Sequence, residues 1–186
     1  MRVVRPIKMT ARQYLQLGED PVGVRLELVD GEIAVSPTQT PSHSRVVIRL
    51  VAILNFHILE NQLGELFSAM DIVLADCDVR RPDLLFFSND RLYLVGEKAM
   101  EGPPDLAVEV LSPSSIKTDR VDKFEQYRLA GVKHYWIVDP ELKSIEAWML
   151  KGQEYVDVGR GQGAVIIRLE PFADLEIPLS RLWLGK

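Results

Sequence analysis

The sequence contains one cysteine, Cys77, and no CxxC pair or Cys/His cluster. An internal disulfide and a thiolate zinc site are therefore excluded, and the cytoplasm is the expected location. The N-terminal basic group Arg2, Arg5, Lys8 and Arg12 is interrupted by Pro6 and is not followed by an apolar stretch of signal-peptide length, so no export signal is expected. The most apolar segment, residues 46–59, is too short for a bilayer span and is broken by Arg49, Asn55 and His57. It is expected to be a core helix, and no membrane partner is expected. Positive charge is not in excess either: 22 Lys and Arg against 27 Asp and Glu leave a net charge of −5. Any nucleic-acid contact would then rest on a local patch. What is present, 47% hydrophobic and 26% charged residues over 186 positions, is enough for a sizeable core and excludes a disordered chain. The length predicts one domain over residues 1–186.

Along the chain, Thr10 and Gln13 have capping-box spacing, predicting a short helix over 10–17. Asp30-Gly31 stands between two alternating runs over 26–35, a strong hairpin signal. After a loop with Pro37 and Pro41, apolar residues at Val46, Val47, Leu50, Val51, Leu54 and Ile58 recur at helical spacing, giving the longest helix, up to Gly64. Three strands are predicted over 66–74, 79–87 and 106–111, then a helix capped by Ser114 or Ser115 that ends at Gly131. A second hairpin follows over 134–150. The stretch 154–183 reads as short strands and turns, with Gly159, Gly161 and Gly163 as a flexible connection. The order of elements predicts an α+β or mixed α/β fold rather than a regular βαβ alternation.

Two carboxylates fall inside runs without a polar face. Asp83 precedes Leu84-Leu85-Phe86-Phe87, and Glu109 is flanked by Val108 and Val110. Uncompensated buried carboxylates are costly, so a pair on neighbouring strands calls for a divalent cation or for salt bridges. Lys123, on the helix after the Glu109 strand, is placed to reach them. Asp119, four residues earlier on the same face, is its surface partner, a pairing of small energetic value.

The succession Leu26-Glu27-Leu28-Val29-Asp30-Gly31-Glu32, His43, Arg81-Pro82-Asp83-Leu84-Leu85-Phe86, Ala107-Val108-Glu109-Val110-Leu111-Ser112-Pro113-Ser114, Lys123 with Tyr127, and Tyr135-Trp136-Ile137-Val138-Asp139-Pro140 resembles the Uma family of restriction-endonuclease-like proteins, within the PD-(D/E)XK nuclease superfamily. The resemblance covers nearly the whole chain. It implies a restriction-endonuclease-like core, a central four-stranded mixed sheet flanked by helices, to which N-terminal and C-terminal hairpins are added. It also implies a magnesium-dependent phosphodiesterase site, with Mn2+ as a substitute. Asp83 and Glu109 would then be the metal ligands, the Val110 carbonyl a third, and Lys123 the water-orienting cation. Pro104-Asp105 lies too close to Glu109 to be the equivalent pair. In the superfamily pattern the lysine stands two residues after the second acid, where this chain has Leu111. Lys123 is the matching residue, moved to the next helix.

Secondary members of the site are Glu27, which would complete the metal shell or hold Lys123, or else face solvent from its hairpin; His43, a phosphate contact or a local hydrogen-bond partner; and Tyr127, which would position Lys123 or simply pack. The implied partner is nucleic acid, DNA foremost. A homodimer is expected to pair through hairpins such as that carrying Trp136 and Trp148, with the N-terminal arginines or Arg45 and Arg49 lining the duplex. The rival is a non-catalytic binding or regulatory module of the same fold, its acids kept as an ion-pair network.

Overall fold

The structure is a computed structural model that describes residues 8–183. Arg2 and Arg5 of the basic N-terminal group lie outside them, and Lys8 pairs with Asp30. The predicted first helix is the short α1 (Ala11–Tyr14), with the Thr10–Gln13 capping box in place. The first hairpin, β1 (Val24–Val29) and β2 (Glu32–Pro37), turns through Asp30 and Gly31 at φ of 48° and 77°, the left-handed pair that a two-residue hairpin turn requires. Thr40 caps α2 (Pro41–Glu60) by accepting from the His43 N–H, and Pro41 occupies the first turn, where a missing N–H costs nothing.

Two of the predicted strands are each divided. The run 66–74 becomes β3 (Gly64–Ser68) and β4 (Ile72–Ala75), split at Ala69, whose φ is 53°. The run 79–87 becomes β5 (Asp78–Arg80) and β6 (Leu84–Ser88), split at Pro82, which lacks the N–H a ladder needs. Asp83 therefore sits just before a strand rather than inside one. β7 (Leu106–Val110), β8 (His134–Asp139), β9 (Ser144–Lys151) and β10 (Glu154–Gln162) follow. The central sheet is mixed and has six strands, not four, in the order β10-β9-β8-β7-β6-β3, with β7 and β8 parallel. A second, antiparallel sheet has the order β2-β1-β5-β4, and β11 (Ile166–Leu169) pairs with β12 (Phe172–Pro178).

Gly159 and Gly161 are not a flexible connection. They pair with Ala147 and Ile145 inside β10, where an added Cβ would stand 2.8 Å from the Leu169 side chain and 2.6 Å from that of Ile167. The second hairpin is likewise not free to pair with another chain: β9 is already covered by β10, and Trp136 is fully buried.

Alternation along the central strands divides the core in two. Leu84, Phe86, Leu106, Val108 and Val110 meet Val46, Leu50, Leu54 and Ile58 of α2. Leu85, Phe87, Ala107, Tyr135 and Ile137 meet Tyr127 of α3 (Lys123–Ala130) on the other face. Gly131, at φ 84°, ends α3 as expected, but α3 is preceded by a π turn, Thr118–Asp122, and Ser115 accepts from the Ser112 N–H in the turn before it. Among the described residues, α2 alone is long and apolar enough to cross a membrane; one face of it packs on the sheet, and the other exposes Ile48, Ala52, Phe56 and Leu59 between Arg45 and Glu60.

Candidate active site

Leu84 pairs with Val108, so the ends of β6 and β7 bring Asp83 and Glu109 together, and the Asp83 N–H donates to the Val108 carbonyl at 3.1 Å. Both acids share the sequence parity of side chains on the α3 face, Leu85 and Phe87 for Asp83, Ala107 and Leu111 for Glu109. Glu109, in a fully buried strand, is held from α3: Lys123 Nζ and Tyr127 OH both donate to its Oε1 at 2.8 Å. These two residues are one helical turn apart and face the same way. Among the described residues no donor is placed on Glu109 Oε2.

Lys123 is not a surface cation. It is 5% exposed and lies 2.8 Å from Glu109, 3.3 Å from Asp119 and 3.4 Å from Glu27. The expected surface pairing of Asp119 with Lys123 is thus a buried one, with Asp119 itself 2% exposed; the π turn before α3 brings it inward, and Tyr135 OH donates to its carbonyl at 2.9 Å. Glu27 does not face solvent. Arg80 donates to its Oε2 at 3.1 Å, and the Arg81 N–H to its Oε1 at 2.8 Å.

Asp83 has the opposite surroundings. Its Oδ1 accepts from Arg25 at 3.3 Å and Gln39 at 2.8 Å, and its Oδ2 from the Val110 N–H at 2.8 Å, with His43 Nε2 at 3.0 Å. His43 is thus a partner of Asp83 at the start of α2. Asp105, of the excluded Pro-Asp pair, takes Lys133 at 2.7 Å and the Ser88 N–H at 2.8 Å, away from this cluster.

The ionisation of the acids follows from these partners. Burial pushes the Glu109 carboxyl up, Lys123 only partly offsets it, and Asp119 and Asp83 push the same way as burial, leaving it at about 8. Burial likewise holds Asp119 above its ordinary range despite Lys123. For Asp83, burial is outweighed by the hydrogen bond and charge of His43 and the charge of Arg25, and the carboxyl is lowered. Glu27 is also lowered, Lys123 and Arg80 outweighing its burial. Lys123 is raised, because Glu109, Glu27 and Asp119 outweigh its desolvation.

Asp83, Glu109, Val110, Lys123, Glu27 and His43 all border one cavity of about 100 Å³. Tyr127 is buried behind Glu109. A Uma2 model, described as "Putative restriction endonuclease", matches residues 11–180. The chain belongs to the Uma2 family. This Uma2 chain is 26% identical over 155 residues to an uncharacterized protein of Synechocystis sp., a match covering 82% of this chain and 87% of that one. It also resembles the crystal structure of a "putative nuclease belonging to DUF820" from Anabaena variabilis, with a TM-score of 0.76, 19% identity, and coverage of 94% of this chain and 97% of the other. That likeness establishes the nuclease-like fold.

Sequence reasoning about this Uma2 site missed Arg25, Gln39 and Arg80, and took Asp119 as peripheral. A signal existed for Arg25: it stands two residues before Glu27 on a strand, hence on the same face, so an inward Glu27 carries Arg25 with it. Among the described residues, no three His, Cys, Asp or Glu side chains are disposed together as a ready metal shell. The donor chemistry nevertheless fits a hard divalent cation. Glu109 has a free carboxyl oxygen and keeps its proton for want of positive charge, a deficit such an ion would fill.

Proposed function

We propose that this protein is a magnesium-dependent nuclease that hydrolyses the phosphodiester bonds of DNA in the cytoplasm. The observation that carries the reading is the buried Glu109–Lys123 pair, at 2.8 Å, set beside Asp83 just before the adjoining strand and bordering a common cavity. Asp83, Glu109 and the Val110 carbonyl would hold Mg2+, or Mn2+ in its place. The ion, when bound, supplies a Lewis acid and lowers the pKa of a bound water. The remaining work falls to the protein. Lys123 orients the attacking water and offsets charge that develops on the phosphate. Glu27 and Asp119 fix the Lys123 ammonium from two further sides, Tyr127 fixes Glu109, and His43 orients Asp83.

Cutting both strands takes two sites, and the reading includes a homodimer. The exposed stripe of α2 supports it: Ile48 and Phe56 stand four residues to either side of the small Ala52, with Arg45 at one end and Glu60 at the other. An antiparallel copy would set Ile48 on Phe56 and Arg45 near Glu60, a self-complementary arrangement. Phe56→Glu is expected to yield a monomer by sedimentation velocity.

The function is tested by isothermal titration of Mg2+ and Mn2+ into the native protein and Glu109→Ala, with cleavage assays on single- and double-stranded DNA. Metal binding and cleavage that both disappear with Glu109 are the expected result. A flat titration and no cleavage by the native protein would overturn the reading. They would favour a non-catalytic module, to which the four donors already on Asp83 are suited.

A further inference from the structure

Six buried side-chain nitrogens among the described residues have no hydrogen-bond partner, and three of them belong to two side-chain neighbours of Asp83: Nε and Nη2 of Arg25 and Nδ1 of His43. Buried donors are almost always paired, so unpaired ones gathered at one place point to a ligand, an ion or water. Which ligand follows from the geometry of the guanidinium. Arg25 spends Nη1 on Asp83 Oδ1. The edge it leaves is Nε with Nη2, whose two parallel N–H groups form the fork with which arginine grips an oxyanion by two bonds at once. Asp83 fixes the guanidinium plane, and β1 fixes the backbone through its pairing of Arg25 with Ser36. The cavity that Arg25 borders is also lined by Thr38, Ser112, Ser114 and Thr118, residues whose hydroxyls are donors suited to a tetrahedral oxyanion. Gln39 shares Asp83 Oδ1 with Arg25 and borders the same space.

We infer that the Arg25 fork, with these hydroxyls, is a phosphate subsite that seats a phosphodiester of the nucleic-acid chain beside Glu109 and Lys123. The inference rests on the nuclease reading for the identity of the chain, but not for the binding of phosphate itself. Lysine presents a point charge where arginine presents a fork, so Arg25→Lys keeps the cation that Asp83 needs and removes only the bidentate grip.

The test titrates inorganic phosphate, and separately a single-stranded oligothymidylate, into the full chain with EDTA present. Native protein is expected to bind both saturably, and a folded Arg25→Lys variant to bind both about tenfold more weakly. In the native protein the Arg25 Nε–H cross-peak is expected to shift as phosphate is added, a readout that needs no variant to fold. Phosphate without saturable binding, an unmoved Nε–H, or equal affinity in Arg25→Lys would each overturn the subsite. Phosphate loss with unchanged oligothymidylate affinity would assign the fork to free phosphate and overturn the phosphodiester assignment. Cleavage lost in Glu109→Ala while phosphate affinity ignores Arg25→Lys would sink the subsite alone. Arg25-dependent phosphate binding without metal-dependent cleavage would sink the nuclease reading alone.

Discussion

Asp83 and Glu109 stand on adjoining strand ends and are 3% and 2% exposed, yet their surroundings are built on opposite principles. Around Asp83 one carboxylate is met by Arg25, Gln39, His43 and the Val110 N–H. Around Lys123 one ammonium is shared by Glu27, Glu109 and Asp119. The first cluster has donors in excess and holds its acid ionised; the second has too few cations and leaves Glu109 with its proton up to about pH 8. Burial is the same in both. What separates the two acids is the count of opposite charges within reach, and that difference holds one ionised and leaves the other protonated near neutral pH.

The sharpest way to break this contrast is an amide at each position. Asp83→Asn removes the carboxylate that pairs directly with largely buried Arg25 and turns an NH2 toward existing donors, so a loss of about 3–5 kcal/mol is expected in urea denaturation. A loss under about 1 kcal/mol would mean that the donors around Asp83 are not charge-compensating. The pH dependence of stability comes next. Glu109 has a folded pKa of about 8 against an ordinary value of 4.5. Its contribution is therefore full below the ordinary value and is lost as pH rises through the folded one. Asp83 has the reverse sign: its contribution is present above 3.8 and is lost as pH falls through its lowered folded pKa. Native stability is thus expected to fall by about 4 kcal/mol between pH 5 and pH 8.5, measured by urea titrations across that range.

Glu109→Gln mimics the protonated acid. It is expected to flatten that alkaline slope while changing stability at pH 5, close to the ordinary pKa, by no more than about 1 kcal/mol. A slope that survives the substitution would assign the titration to another group. The smallest effect is expected of Tyr127→Phe, which deletes one hydroxyl donor to Glu109 and is expected to cost about 1 kcal/mol by thermal melting. Cleavage is expected to be reduced, not abolished, since Lys123 still holds the same oxygen.

Local signals made much of the fold legible. Asp30-Gly31 marked the hairpin, the periodicity from Val46 to Ile58 marked α2, and Gly131 marked the end of α3. Other features depend on pairing that no local window shows. Ala69 adopts a left-handed conformation that alanine rarely takes, so nothing in 66–74 announced a change of sheet, whereas Pro82 did offer a signal against one continuous strand. Gly159 and Gly161 read as flexible because the close approach of Ile167 and Leu169 comes from later in the chain. Within the site, the apolar flanks of Asp83 and Glu109 exposed them as buried acids. Gln39 stands between Thr38 and Thr40, where nothing distinguishes an inward side chain from a solvated one, and Arg25 is announced only through its shared strand face with Glu27. Asp119 was read on an ordinary helical face, which the π turn alters.

That turn bears on how a lysine can leave a strand and still serve the same acid. Thr118–Asp122 holds one residue more than a regular turn, and each residue of an α-helix advances it by about 100°. The extra residue sets the angular phase between the upstream part, carrying Asp119 anchored to Tyr135, and the downstream part, carrying Lys123 and Tyr127. Deleting it would rotate one part against the other, so that Asp119 at Tyr135 and Lys123 at Glu109 could not both keep their places while every strand stayed where it is. The position of a charge over the sheet thus becomes adjustable by single insertions and deletions, a route along which such a site can be rewired without refolding the sheet that supports it.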